Sequence, residues 1–476
     1  MPRSPAKVPS RFLRAPFDFA ARLFGRDVTQ GVLGTILLQF GGGAVSFAMF
    51  SLAARGYSAA DFGHLAMWLS ICQMGSVLAL LGQEMFVLRS LNEYGVAERP
   101  DLARGALTFS LTIVGIVPVL LGTAMGTVGT LALGESPLLM VAGALFLVAG
   151  SMLALGSHIA RYCTSLFLAD GMREFLWRFL VVAALSAVVG LHMAVRIDQF
   201  FWLASAAIGV ALLIQISAIW RALPRTIRHA QASFRVREWF KVSSRFWAST
   251  VLETINQYFD VVIIYWLLDP VAAGAYFVAT RLANMFGTVL TAVHNYATRR
   301  IPALYFAGKS DDLNRTLTLM AEVVLLCVAG GFAVLVFGAE PILNLFGPAF
   351  VAQKWTLIIL ATGTALSAGG GPAAAILMIA GHEGRYPLII AANMILRFTG
   401  FAILIPILGL QGAALSTAIS LAIVAIALNV LCRRWVGLDP SILILLRKAR
   451  GRIVAAEPAY AHGHRATSKT TQGQPT

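Results

Sequence analysis

Residues Val261–Thr280 read VVIIYWLLDPVAAGAYFVAT, two apolar runs parted by the short polar turn Asp269-Pro270. Followed outward, the runs extend over 248–268 and 271–298. A helix of about 20 apolar residues crosses a hydrocarbon core ~30 Å thick. The stretch is therefore expected to form two membrane spans joined by a turn. The pattern recurs along the chain, with apolar runs near 33–54, 62–88, 106–127, 138–157, 175–195, 199–220, 248–268, 271–298, 316–338, 355–380, 386–408 and 412–432. The expected fold is all-α: a polytopic membrane protein of twelve helices.

Composition agrees. Of 476 residues, 58% are hydrophobic and 12% charged, and the mean hydropathy is +0.77. A soluble domain carries about 25% charged residues, so that class is excluded, as are a disordered chain, a collagen-like fibre and a secreted disulfide scaffold. Cys72, Cys163, Cys327 and Cys432 lie far apart within apolar segments and are expected to be buried small hydrophobes rather than disulfides or metal ligands.

The placement of charge tests the span count. Of the 37 Lys and Arg, 31 fall in the N-terminal arm, the loops after even-numbered spans and the C-terminal tail. Three, Arg55, Arg196 and Lys354, fall in loops after odd-numbered spans, and Arg178, Arg281 and Arg397 sit inside spans. This asymmetry is the positive-inside pattern of a plasma-membrane protein with both termini in the cytoplasm, and an odd span count would destroy it. The net charge of +15 then reads as topology and attraction to anionic lipid, not as nucleic-acid binding. The arm lacks the apolar core of a signal peptide. Its stretch Ser10–Arg26, SRFLRAPFDFAARLFGR, is expected to lie on the cytoplasmic leaflet as an amphipathic helix. A mitochondrial transit peptide looks similar, but Asp18 and Asp27 count against it. The last twenty residues are polar and without periodicity, and are expected to be disordered.

The chain divides into an arm (1–32), a first lobe of six spans (33–220), a basic linker (221–247), a second lobe of six spans (248–432) and a basic tail (433–476). Six is even, so both lobes start on the same side and a repeat would be parallel. YSAADFGHLAMWLS from Tyr57 and LDPVAAGAYFVATR from Leu268 align at an offset of 211 residues, Gly63 on Gly274 and Ser58 on Asp269. In each, a short polar turn precedes a glycine that opens the next helix.

These stretches carry a family resemblance. RGYSAADFG from Arg55 resembles the R-x-L-s-p-x-x-f-G turn of the polysaccharide exporters in the multidrug/oligosaccharidyl-lipid/polysaccharide (MOP) superfamily. In the second half, DVVIIYWLLDPVAAGAYFVATRLA from Asp260, RRIPALYFAG from Arg299 and ILNLFGPAF from Ile342 are similar to the corresponding parts of that family. The resemblance runs from about residue 30 to 432 and implies a flippase for lipid-linked oligosaccharide, with two six-helix lobes around a central cavity. Some branches add two C-terminal spans. Here ILILLRKARGRIV from Ile442 is too short to cross and reads as a surface helix.

A lipid-facing charge at mid-bilayer costs roughly 2.5–3.5 kcal/mol on insertion scales, so intramembrane charges should face a cavity or one another. Glu253, Asn256 and Asp260, at i, i+3 and i+7, share one face of span seven. Arg281, Asn284, Thr288 and Asn295 form a stripe on span eight with His294 close by, and Asn393 and Arg397 stand at i, i+4 on span eleven. The first lobe offers Gln39, Gln83, Glu84 and Arg178. Two readings stand side by side. In one, Asp260 or Glu253 pairs with Arg281 or Arg397 to fix helix packing, with Asn and Thr as glue. In the other, Arg281, Arg397 and Arg178, with Asn284 and Asn393, line a water-filled cavity for an anionic headgroup, because the guanidinium fork suits phosphate oxygens. Glu253, Asp260 and Glu84 are then candidates for coupling to H+ or Na+.

Span ten contains TGTALSAGGGPAAAI from Thr362, where Gly369, Gly370, Gly371 and Pro372 interrupt the helical ladder as a hinge or unwound segment, or else allow close packing. His158, His192, His294 and His382 are dispersed without metal-ligand spacing. Gly41–Gly43 lacks the Lys and Ser/Thr of a phosphate-binding loop.

The leading reading is a non-enzymatic secondary transporter, without cofactor beyond H+ or Na+ coupling, that flips a lipid-linked saccharide by alternating access. Its expected partners are that substrate, membrane lipids and other polysaccharide assembly proteins, with no nucleic acid. A multidrug/cation antiporter of the same superfamily is the alternative. A membrane-embedded polysaccharide polymerase is disfavoured because the longest outward loop, about 338–354, has only Glu340 as an acid. A channel is disfavoured for want of a repeated filter sequence.

Overall fold

The computed structural model describes residues 26–190, 196–284, 310–380 and 385–445, with Gly287, Ile301 and Leu304. The surface helix expected over Ser10–Arg26 (apart from Arg26), the side chain of Gln39, Thr288, His294, Asn295, His192, His382 and the tail after 445 lie outside the described residues.

All described elements are helices, and one stands at each of the twelve apolar stretches. They are α1 (Arg26–Gly56), α2 (Ala59–Leu78), α3 (Gln83–Val96), α4 (Pro100–Ala132), α5 (Pro137–Cys163), α6 (Leu166–Gly171), α7 (Trp177–Gly190) and α8 (Ile197–Ala222). The second half holds α9 (Val236–Leu267), α10 (Pro270–Ala283), α11 (Ser310–Phe337), α12 (Lys354–Gly369), α13 (Ala373–Ile379), α14 (Tyr386–Leu408) and α15 (Leu410–Val436). Among the described residues, eight helices are long and apolar enough to cross a membrane: α4, α5, α8, α14 and, with bounds of their own, Ala59–Val96, Asp312–Phe337, Lys354–Met378 and Leu410–Trp435. The chain is a multi-pass membrane protein.

Three expectations are corrected. Span two is not one helix over 62–88. It breaks after Leu78, where Leu81 (φ 48°) and Gly82 (φ 74°) adopt left-handed backbone before α3 begins. The indole of Trp247 fills the break by donating to the Leu78 carbonyl at 2.9 Å, and a Cβ on Gly82 would lie 2.3 Å from the Ser243 carbonyl oxygen. The basic linker is also shorter than 221–247, since α9 already starts at Val236. Arg237, Lys241 and Arg245 recur every four residues, so they share one side of a helix while Trp239 buries itself opposite, against Phe86 and Phe109. Charges ended the apolar run without ending the helix. Of the cysteines, all four are free, but Cys327 is exposed and Cys163 half-buried, so only Cys72 and Cys432 are core residues.

Within each half the helices pack on one another: α5 on α4 and α8, α1 on α7, α15 on α12 and α14. The two halves meet where α2 lies against α9 and α10. The glycines aligned by sequence touch at this crossing. A Cβ on Gly63 would stand 1.7 Å from the Pro270 carbonyl oxygen, and one on Gly274 would stand 3.0 Å from the Gly63 Cα. Their helices start alike, with Ser58 accepting from the Asp61 amide at 3.1 Å and Asp269 from the Ala272 amide at 2.8 Å. Each satisfies an amide that the first turn leaves open. The offset of 211 residues thus relates equivalent caps, and Asp61 and Ala272 are themselves in register.

Around this crossing one core runs through both halves, with Met49, Phe50, Phe62 and Trp68 from the first and Tyr276, Phe277, Phe350 and Phe401 from the second. At the end bearing the 57–58 and 268–269 turns, Phe47 meets Phe346, Phe50 meets Phe277 and Phe62 meets Phe350 edge-on, with centroids 5.1, 4.9 and 5.5 Å apart. Ser51 Oγ and Arg55 Nε both donate to the Leu345 carbonyl, at 2.6 and 2.8 Å.

Span ten is interrupted where its sequence indicates: α12 ends at Gly369 and α13 begins at Ala373. The gap is also closely packed. Asn429 Nδ2 donates to the Gly370 carbonyl at 2.9 Å and the Ile442 amide to the Gly369 carbonyl at 3.0 Å. Gly371 has φ +65°, and a Cβ there would lie 2.1 Å from the Pro440 carbonyl oxygen. Gly371→Ala meets both left-handed strain and a backbone clash, and is expected to destabilise the protein by about 1–3 kcal/mol. A thermal melt of purified protein checks this, and an unchanged midpoint would refute the docking of the 437–445 segment on the break.

Candidate functional site

Between the halves lies a cavity of about 540 Å³, lined from α1, α2, α5, the turn before α7, α9 and α10. Its charged lining is Arg173, Glu174, Arg178, Glu253 and Arg281, three cations against two anions.

Arg281 closes the last turn of α10, where a cation also suits the helix C-terminus. Its Nη2 donates to Gln73 Oε1 at 3.1 Å, and its guanidinium lies over the rings of Phe277 and Tyr258, at 5.0 and 5.6 Å from their centroids. Among the described residues no carboxylate is in ion-pairing reach of it. Held from behind by an amide and two ring faces, the guanidinium keeps donors toward the cavity. Asn284, the residue that caps α10, also lines the cavity.

Across from it, residues Met172–Leu176 form a π-helical turn between α6 and α7. Glu174 Oε2 is 2.8 Å from Arg178 Nη1, and Glu174 Oε1 is 3.6 Å from Arg173 Nε. The Arg178 guanidinium sits over Trp177 at 5.1 Å, while the Trp177 indole donates to the Arg173 carbonyl at 2.7 Å. On α9, Thr250, Glu253, Thr254 and Gln257 present a polar stripe to the same space, with Glu253 exposed.

The remaining predicted site residues are elsewhere. Arg397 does not line the cavity. It is buried against Asp260, with Nη2 at 3.2 Å from Oδ1, and donates to the Asn256 carbonyl at 3.3 Å. The Tyr276 hydroxyl reaches Asp260 Oδ2 at 3.3 Å and Thr417 Oγ1 at 2.8 Å. Asn393 is buried on α14, the helix that carries Arg397, and also lies off the cavity lining. The stripe Glu253–Asn256–Asp260 is thus split: α9 turns Glu253 to the cavity and Asp260 into the second half. Glu84 is buried in the first turn of α3, again off the cavity lining, with Oε2 lacking a hydrogen-bonding partner among the described residues. Gly369–Pro372 belongs to the α12–α13 break and not to the cavity wall. His158 is buried, hydrogen-bonded to the Ala154 carbonyl at 3.0 Å.

Arg173, Glu174, Gln73 and Tyr258 are cavity residues that sequence reading passed over. Arg173 counts among the cytoplasmic loop charges and Glu174 falls just before the expected start of span five at 175. Their one signal is the Arg173/Arg178 spacing. At i, i+5 they would stand about 140° apart on an α-helix, at about 100° per residue, and face one cavity only if the turn is wider.

Residues 141–356 match the family model described as polysaccharide biosynthesis protein. No curated protein matches the chain. Among solved structures, the chain is similar to a multidrug resistance MATE family transporter of the MOP superfamily in an inward-facing conformation, with TM-score 0.68 and 14% identity over 84% of this chain and 94% of that one. It is similar to the lipid II flippase MurJ in an inward closed conformation, with TM-score 0.63 and 14% identity over 83% and 86%. A MOP superfamily transporter from Pyrococcus furiosus gives TM-score 0.57 and 13% identity over 87% and 97%. These are transporters and a flippase, and the chain has their fold. The resemblance carried by RGYSAADFG and its second-half counterparts therefore holds at the level of the fold.

Proposed function

We propose that this chain is a secondary transporter of the plasma membrane that moves a lipid-linked oligosaccharide or polysaccharide precursor from the cytoplasmic to the outer leaflet. The observation that carries the reading is Arg281, a cavity cation with no carboxylate partner among the described residues, facing Arg173 on the π turn and Arg178 at the start of α7. Guanidinium groups in a low-dielectric cavity bind phosphate oxygens through charge-assisted hydrogen bonds. The side-chain amides of Gln73 and Gln257 suit the hydroxyls of a sugar. The match of 141–356 to a polysaccharide biosynthesis family supports the substrate class.

With the basic loops and both termini in the cytoplasm, the aromatic closure at Phe47, Phe62, Phe346 and Phe350 faces outward, so the cavity is loaded from the inner leaflet. Opening outward would part that closure together with the α2–α10 contact at Gly63, which stands beside Phe62. Glu253 is the leading site for H+ or Na+ coupling, because it faces the cavity, whereas Asp260 is already neutralised by Arg397. Other polysaccharide assembly proteins would supply and receive the cargo.

Arg281→Ala is expected to reduce surface polymer at least tenfold while the protein stays in the membrane at its normal level, since a hydrogen bond to a charged group contributes about 1.5–3 kcal/mol. Normal polymer in that variant would sink the anionic-cargo reading. Glu253 also supports a second reading, export of an amphiphilic organic cation. Loss of cation efflux in Glu253→Gln with polymer intact would favour it.

A further inference from the structure

The Met172–Leu176 turn is the one π-helical segment among the described residues. Such turns are rare and recur at functional sites. Here the wider turn brings Arg173 and Arg178 to one side, with the Glu174 carboxylate between them. One of its oxygens is 2.8 Å from Arg178 and the other 3.6 Å from Arg173. Each guanidinium thus meets one oxygen of a single anion. A phosphate would span the two in the same way, because the guanidinium fork accepts carboxylate and phosphate alike.

The backbone of this turn has little room to move. Gly42 of α1 backs directly onto it, and a Cβ there would lie 2.9 Å from the Glu174 carbonyl oxygen. Arg178 Nη1 also donates to that carbonyl. Gly41, one residue before Gly42, faces Phe175 of the same turn. What remains free to rotate is the Glu174 side chain, which opens onto the cavity. The next cation along, Arg161, has its own carboxylate in Asp170 at 2.6 Å and is not spare. Among the described residues, the cavity therefore holds one guanidinium without a carboxylate partner, Arg281, and two that share an internal anion.

We propose that Glu174 is a tethered competitor for the anion site: a phosphate of the cargo displaces its carboxylate from Arg173 and Arg178, and the carboxylate returns when the cargo leaves. This rests on the anionic-cargo reading above and adds how that site is emptied. The two arginines never face the cavity unneutralised, so the anion binds by exchange rather than by filling a bare cationic pocket. Affinity is lowered and release is assisted, which a transporter needs and a tight binder does not. Glu174 acts through the arginines and is a positioning residue, not a substrate contact.

The test is binding of inorganic pyrophosphate to the purified full-length protein by titration calorimetry, alongside surface polymer in cells. Glu174→Gln removes the competing charge while keeping the side-chain shape, and Glu174→Ala removes the group altogether. Both are expected to bind pyrophosphate about tenfold more tightly than the unaltered protein and to export less polymer, because release slows. A residue that merely holds the turn together would give weaker binding with reduced export, so unchanged or weaker pyrophosphate binding in both variants overturns the proposal. Arg281→Ala keeps the two claims apart. If Arg281→Ala weakens pyrophosphate binding while the Glu174 variants do not tighten it, the competitor role fails and the anion cavity stands. If neither the unaltered protein nor Glu174→Gln binds pyrophosphate, the anionic-cargo reading fails and this proposal falls with it.

Discussion

Arg397→Ala is expected to destabilise the folded protein by about 3–5 kcal/mol, the cost of removing one partner of a buried ion pair. The side chains of Arg397 and Asp260 are 3% and 9% exposed. Among the described residues, alanine would leave the Asp260 carboxylate only the long contact from the Tyr276 hydroxyl, 3.3 Å, and one neutral hydrogen-bond donor cannot replace a guanidinium. The Asn256 carbonyl would lose its guanidinium donor as well. Removing both charges is a different matter. Buried pairs are often replaced by neutral side chains at little cost, because their desolvation offsets their attraction. Asp260→Asn with Arg397→Met should therefore recover most of the stability that either single change loses. Melting of Arg397→Ala in detergent measures the first effect, and melting of Asp260→Asn, Arg397→Met and their combination, compared as a double-mutant cycle, measures the second. If Arg397→Ala melted like the unaltered protein and yet failed to transport, the pair would not be structural, and Arg397 would return to the list of cargo residues.

The different fates of Arg281 and Arg397 show where sequence reading stops. Both are arginines inside apolar spans, and the cost of a charge in lipid says only that each must face something polar. Which partner each finds depends on how the helices are rotated about their axes. Glu253 and Asp260 share a face on an ideal helix, yet the packing of α9 between the cavity and the second half gives one to solvent and the other to Arg397. The fold itself was far more legible. A period of apolar runs, a one-sided distribution of Lys and Arg, and a polar turn before Gly63 and again before Gly274 are all local or additive signals that survive without coordinates. What they miss is any helix whose end is not marked by polarity. The break at Leu81–Gly82 lies inside an apolar run, and the start of α9 at Val236 lies inside a basic one. The π turn was hidden for the same reason, since nothing in the composition of MREFL, Met172–Leu176, departs from an ordinary helix start.

Gly63→Ala is expected to have the other large effect, and on the assembly of the halves rather than on either half alone. The added Cβ would stand 1.7 Å from the Pro270 carbonyl oxygen and 2.4 Å from its carbon, inside any real contact, and both are backbone atoms at the start of α10. No rotamer relieves this, so α2 and α10 must separate. Overpacking a core by a methyl group costs about 1–3 kcal/mol when side chains can give way. Here the obstacle is backbone, so a loss of at least about 3 kcal/mol is expected. Gly274→Ala should be milder, since its Cβ would lie 3.0 Å from the Gly63 Cα and 3.1 Å from a Phe62 ring carbon that can tilt. The order of the two is the discriminating result, because sequence alignment alone treats the pair as equivalent. Fluorescence-detected gel filtration of both variants, with melting midpoints, reads it directly. Equal behaviour would mean that the crossing is loose enough to re-form around either methyl group. It could not then be a contact that holds the outer end shut, and the closure would rest on the ring contacts of Phe62 with Phe350 and Phe47 with Phe346.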